Sequence, residues 1–170
     1  IKYMPHLQIG RSIIAIIVTL IVGVSGWLVS SVIKSTVADM RIEPTHGTVA
    51  LEDTFTIGLI VESEVPVNVF KGVLTFNTNL LEVDSINYNT SIADLWAEEP
   101  WFSNGEGTIS FIGGTTKQGG FTGTGNLINV TFKARNTGTA AIALDEAQIL
   151  KHDGLGSEAA IAQPIDGLFK

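Results

Sequence analysis

The sequence predicts an all-β antiparallel sandwich behind a single membrane-spanning helix. Three observations carry this: an uncharged apolar run at residues 12–33, recurrent period-two alternation after residue 40, and Asn, Gly and Ser clusters between the alternating stretches.

The run IIAIIVTLIVGVSGWLVSSVI is interrupted only by Gly, Ser and Thr. About 20 apolar residues at ~1.5 Å rise span the ~30 Å hydrocarbon core of a bilayer. Lys2, His6 and Arg11 precede the run without an acidic residue, and acidic residues begin at Asp39. Positive-inside bias therefore places a flank at residues 1–11 in the cytoplasm, the helix at 12–33, a linker at 34–39 and a domain at 40–170 outside the cell membrane. The competing reading is a cleaved signal peptide, whose apolar region of about 7–15 residues is shorter than this one. Ala15, Thr19, Gly23, Gly26 and Ser30 share one stripe of that helix, a pattern that lets helices approach closely and would make a homo-oligomer; the competing reading is the small-residue content common in solitary spanning helices.

The remainder has the length of one domain with a single core. From Asp39 to Lys170 lie all 17 acidic residues of the chain, against seven Lys and Arg. So acidic a surface argues against nucleic acid, whose binding releases counterions through basic side chains. The absence of Cys excludes disulfides and thiolate metal sites.

Strands are predicted in order along this domain. In the first, Phe55, Ile57, Leu59 and Val61 share a face, and Phe70, Gly72, Leu74 and Phe76 repeat the pattern. Further strands are expected at 81–86, 108–112, 128–134 and 139–144, and residues 167–170 read as the opening of another. Asn77-Thr78-Asn79, Ser103-Asn104-Gly105, Gly119-Gly120 and Asn136-Thr137-Gly138 supply turns. The only helical expectation after residue 40 is one turn at 92–98.

Residues 95–157 resemble the second half of a cohesin-type domain. The resemblance rests on Trp96 and Pro100 ahead of the Ser103-Asn104 turn and on a Gly-x-Ile-x-Phe-x-Gly-Gly strand from Gly107. Gly123-x-Gly125-x-Leu127, Val130-x-Phe132-x-Ala134 and Gly138-x-Ala140 follow. Upstream, the resemblance implies a strand at Met40–Pro44, and Phe76-Asn77-Thr78-Asn79-Leu80-Leu81 is similar to a family passage that usually carries Asp where Asn stands here. The resemblance implies a nine-stranded jelly-roll sandwich akin to carbohydrate-binding modules. It also implies a non-enzymatic module whose exposed sheet face takes a protein partner: in cellulosomes, the dockerins of polysaccharide-degrading enzymes.

The three His, at 6, 46 and 152, are too dispersed for a triad or a zinc set, so no catalytic residue is expected. The acidic pairs Glu52-Asp53, Glu98-Glu99 and Asp145-Glu146 read as solvated edges. In the loop 152–158, Asp153 and Glu158 flank two glycines and offer the oxygens a calcium site uses; the competing reading is a glycine-rich turn. No other cofactor is expected. Trp96, Trp101, Phe102 and Phe121 are candidates for a binding surface, with sandwich packing as the competing role. The expected function is a membrane-anchored cell-surface module recognising a protein or glycan. The alternative is a pilin-like filament subunit with its N-terminal helices in the fibre core, against which stand Lys2, Pro5, His6 and Arg11.

Overall fold

A computed structural model describes residues 37–159 and 166–170. These form nine strands: β1 (Ala38–Glu43), β2 (His46–Gly47), β3 (Thr54–Phe76), β4 (Leu81–Asn87), β5 (Leu95–Ser103), β6 (Thr108–Gly114), β7 (Phe121–Ala134), β8 (Ala140–Lys151) and β9 (Gly167–Phe169). Among them no helix is long and apolar enough to cross a membrane. The apolar run 12–33, with Ala15, Thr19, Gly23, Gly26 and Ser30, lies outside the described residues.

The architecture turns on β3. Its first half, residues 54–63, pairs with β1 and β7, and its second half, residues 67–76, pairs with β6 and β8. The register with β7 breaks between Ser63 and Val67, where Pro66 cannot donate to a ladder. The Ser63 hydroxyl holds this corner by donating to the Val65 carbonyl at 2.7 Å. Past the corner the strand returns over itself: the ring of Phe132 in β7 stacks on Phe55 at 5.6 Å and meets Phe76 edge-on at 5.3 Å. Two layers result, β1-β3-β7-β4 and β2-β9-β8-β3-β6-β5.

Between the layers lie the side chains that alternation assigns inward. Ile57, Leu59, Val61, Leu127, Ile128, Val130 and Phe132 face Phe70, Leu74, Ile109, Phe111, Ile142 and Ile149. Each such apolar side chain contributes about 1.5–3 kcal/mol on burial. Leu127 and Ile128 are both buried because the β3–β7 register shifts between Leu59 and Ile60. The extra residue of a bulge turns two successive side chains toward one face.

The structure corrects two expectations. The sheet is mixed, since β2 pairs with β9 in parallel, His46 opposite Leu168 and Gly47 opposite Phe169. Phe169 thereby reaches the core, its ring 4.5 Å from Phe55. Residues 92–98 form no helical turn: Leu95–Ser103 is the edge strand β5, hydrogen-bonded to β6 with two register shifts around Glu98.

Candidate functional site

The two outer faces differ in chemistry. On the β1-β3-β7-β4 layer, charge is paired internally: Arg41 donates to Asp39 at 3.1 Å, Glu43 at 2.9 Å and Glu62 at 3.0 Å. Lys133 pairs with Glu52 at 2.7 Å, Arg135 pairs with Glu82, and the hydroxyls of Thr56 and Thr131 meet at 3.0 Å.

The outer face of β8-β3-β6-β5 is more apolar. Register places Trp101, Ser110, Val73 and Glu146 in one row across β5, β6, β3 and β8. The next row is Glu98, Ile112, Lys71 and Gln148, and a third sets Leu95 beside Gly114 and Val69. Leu95 and Trp101 are 61% and 55% exposed, two of only five large hydrophobics so open among the described residues. Around them the polar groups are held in place. Ser110 donates to Glu98 at 2.7 Å, Thr75 donates to Asp145 at 2.6 Å, and Lys71 pairs with Glu146 at 3.1 Å. Exposed apolar side chains on a stiff sheet, set among tethered polar groups, are features of a protein-binding surface.

The four predicted aromatics separate. Phe102 points between the layers, and Phe121 sits edge-on to Phe70 at 6.4 Å. Trp96 covers Gly113, where a Cβ would stand 2.5 Å from its ring, and contacts Tyr88 and Phe111 edge-on. Trp101 alone stands on the outer face. Pairing with β6 sends alternate residues of β5 to opposite sides, which explains why its neighbour Phe102 is inside.

The family model of the cohesin domain matches residues 40–163. The chain belongs to the cohesin family. Such domains are non-catalytic binding modules. No curated protein matches the chain. Among solved structures, this cohesin is similar to the cohesin of a type I cohesin–dockerin complex from Clostridium thermocellum, with 17% identity and a TM-score of 0.63 over 78% of this chain and 92% of the other. A cohesin from Clostridium acetobutylicum shares 14% identity with a TM-score of 0.64 over 79% and 90%. A non-cellulosomal cohesin from the archaeon Archaeoglobus fulgidus shares 18% identity with a TM-score of 0.61 over 78% and 88%. At these identities the likeness is one of fold.

In this cohesin the loop after β8 engages its own acids. The Asp153 carboxylate accepts the Leu155 N–H at 2.8 Å, and that bond, with a second from the Ser157 side chain, holds its pKa below the ordinary value. Glu158 accepts from the Gln148 side-chain amide. The two predicted calcium ligands thus have separate partners, and no group of three His, Asp or Glu suited to a metal occurs among the described residues.

Sequence reading missed Leu95, Val73, Ile112, Lys71 and Glu98 as members of one surface. They come from three strands whose spatial order, β3-β6-β5, departs from chain order. The available signal was the clustering of Leu95, Trp96, Trp101 and Phe102 around Glu98 and Glu99, which does not by itself separate the outward side chains from the inward ones.

Proposed function

We propose that this cohesin is a scaffold module, anchored in the cell membrane by residues 12–33, that presents the outer face of β8-β3-β6-β5 to a dockerin-like protein outside the cell. The observation that carries the reading is exposed Trp101 in register with Val73 and beside Ile112. A Trp on a stiff sheet loses little conformational freedom when covered, and such side chains dominate binding energy. The cohesin–dockerin complex from Clostridium thermocellum supports the class of partner. The uncharged run and its basic flank support the anchor.

Calorimetric titration of the full chain with the dockerin modules of its own genome tests the partner. A binder whose affinity falls at least tenfold with Trp101→Ala, about 1.4 kcal/mol, and is unchanged with Thr56→Ala on the opposite face, supports the reading. Equal affinity for wild type and Trp101→Ala overturns it. Alkaline extraction of membranes tests the anchor: the chain stays in the pellet and is released by deletion of residues 12–33. Electron microscopy of the membrane-extracted chain separates the scaffold from the pilin-like alternative, which requires regular fibres.

A further inference from the structure

The chain enters the sandwich at one end, beside the corner of β3. Ala38 of β1 lies opposite Ser63, and the Val37 carbonyl accepts the Glu64 N–H at 2.9 Å. The Pro66 carbonyl accepts the His152 N–H at 2.8 Å, which seats the loop after β8 at this same end. Val37 and Val65 are half-buried, Pro66 is exposed, and Leu155 is 84% exposed, the most open large hydrophobic among the described residues. Single apolar residues scattered over a surface are ordinary. Here four share one end of the domain.

Leu155 is held outward by its loop. The Asp153 carboxylate accepts its N–H at 2.8 Å, and the Ser157 carbonyl accepts the Lys151 N–H at 2.8 Å to close the base. Gly154 and Gly156 flank it with φ of 70° and 69°, in the left-handed region. A Cβ at either glycine would meet nothing within 4 Å, so the tip stands clear of the domain. A tip of fixed shape loses little conformational freedom when its leucine is covered.

The length of chain before Val37 indicates what covers this end. Three residues, 34–36, separate it from the apolar run 12–33. The four steps from Ile33 to Val37 reach at most about 14 Å. With that run in a bilayer, the Val37 end is the part of the domain that lipid meets first. Charge at this end is mixed. Gly120, packed on His152, donates its N–H to the Lys117 carbonyl, so Lys117 joins Lys151 here. Against them stand Glu64, Asp153 and Glu158, with Asp39 and Glu62 bonded to Arg41. Acids outnumber cations, so this end is not drawn to anionic lipid, and a zwitterionic surface fits it better.

We propose that Leu155 enters the interfacial layer of a zwitterionic bilayer, with Val65 and Pro66 against the headgroups, and so fixes how the domain rests on the membrane. The inference rests on the anchoring of residues 12–33 proposed above. One leucine holds a free protein on lipid only weakly, but the tether makes the contact intramolecular and raises its occupancy. The Asp153 carboxylate, bonded within its own loop, stays in the hydrated headgroup layer.

The chain has no Cys, so a single introduced cysteine carries a label without background. The full chain is reconstituted in phosphatidylcholine vesicles with a nitrobenzoxadiazole label at Leu155→Cys or at Leu51→Cys. Leu51 is exposed and borders the cavity it shares with Ala140, at the opposite end of β8. Quenching by lipid bearing a headgroup nitroxide is expected to be about twofold or more greater at position 155 than at position 51. A label at Lys117→Cys leaves the leucine in place, and its quenching should fall about twofold in Leu155→Ser. The inference is overturned if, in vesicles that retain the chain through alkaline extraction, position 155 is quenched no more than position 51. It is equally overturned if Leu155→Ser leaves the Lys117→Cys signal unchanged. Release of the chain by alkali instead overturns the anchor, and the inference with it.

Discussion

The side chain of Asn104 replaces a missing strand for Val83. Its Oδ1 accepts the Val83 N–H at 2.7 Å and its Nδ2 donates to the Val83 carbonyl at 2.9 Å. Val83 stands where the β4–β7 ladder shifts register, and Asn104 lies in the turn between β5 and β6. One amide therefore ties the edge of one layer to a turn of the other. Asn104→Ala leaves both backbone groups of a buried residue unpaired, at a cost of about 1–3 kcal/mol in urea unfolding. Asn104→Asp, which retains only an acceptor, falls between; equal stability of all three would show that solvent replaces the amide.

Trp96 and Trp101 should respond oppositely to truncation. Trp96 fills the space over Gly113, so Trp96→Ala costs about 3 kcal/mol. Trp101→Ala, at an exposed position, shifts stability by less than about 0.5 kcal/mol. Thermal unfolding of the two variants decides whether packing or recognition maintains each ring.

Arg41 is hydrogen-bonded to three carboxylates with its side chain 21% exposed. Arg41→Gln leaves Asp39, Glu43 and Glu62 facing one another. The cost is about 1–3 kcal/mol, between the limits for exposed and buried pairs. Because the residual term is like-charge repulsion, added salt should recover part of the loss. Insensitivity of the deficit to salt would assign it to lost packing instead.

Asp94 accepts the backbone N–H of Thr116 at 2.7 Å and its hydroxyl at 2.8 Å, and these bonds lower its pKa from the ordinary 3.8. A carboxylate whose folded pKa is depressed adds stability above its unfolded pKa and loses it as pH falls through the folded value. Asp94→Ala should therefore be less stable than wild type at neutral pH, with the gap closing below about pH 3.8. A gap that persists undiminished in acid would show that the neutral carboxyl serves equally well.

Alternation made most of the interior legible, since β6 and the regular stretches of β3 and β7 bury every second side chain. It failed where an element is not half-buried by turns. LWAEEPWFS is an edge strand carrying Pro100 and two register shifts, so its apolar residues lose their spacing and read as a turn. β8 reads as ending at 144, although it runs on to Lys151, because its register with β3 shifts between Val73 and Leu74, opposite Glu146 and Leu144, and the extra residue Asp145 breaks the alternation there. The β2–β9 pairing is too short for any periodicity. Of the proposed recognition face, Trp101 was legible only as one of four candidate aromatics; its neighbours were not, because register across strands distant in sequence assembles the rows.

Phe169 closes the core against Phe55 and is held by β8 on one side and β2 on the other. At about 5–20 residues per second, a ribosome delivers Phe169 on the order of ten seconds after Phe55. The sandwich cannot be completed while its closing strand is still being made, so synthesis and folding are separated in time. Through that interval Phe55 lacks the ring that covers it in the finished sandwich, and that corner of the core stays open.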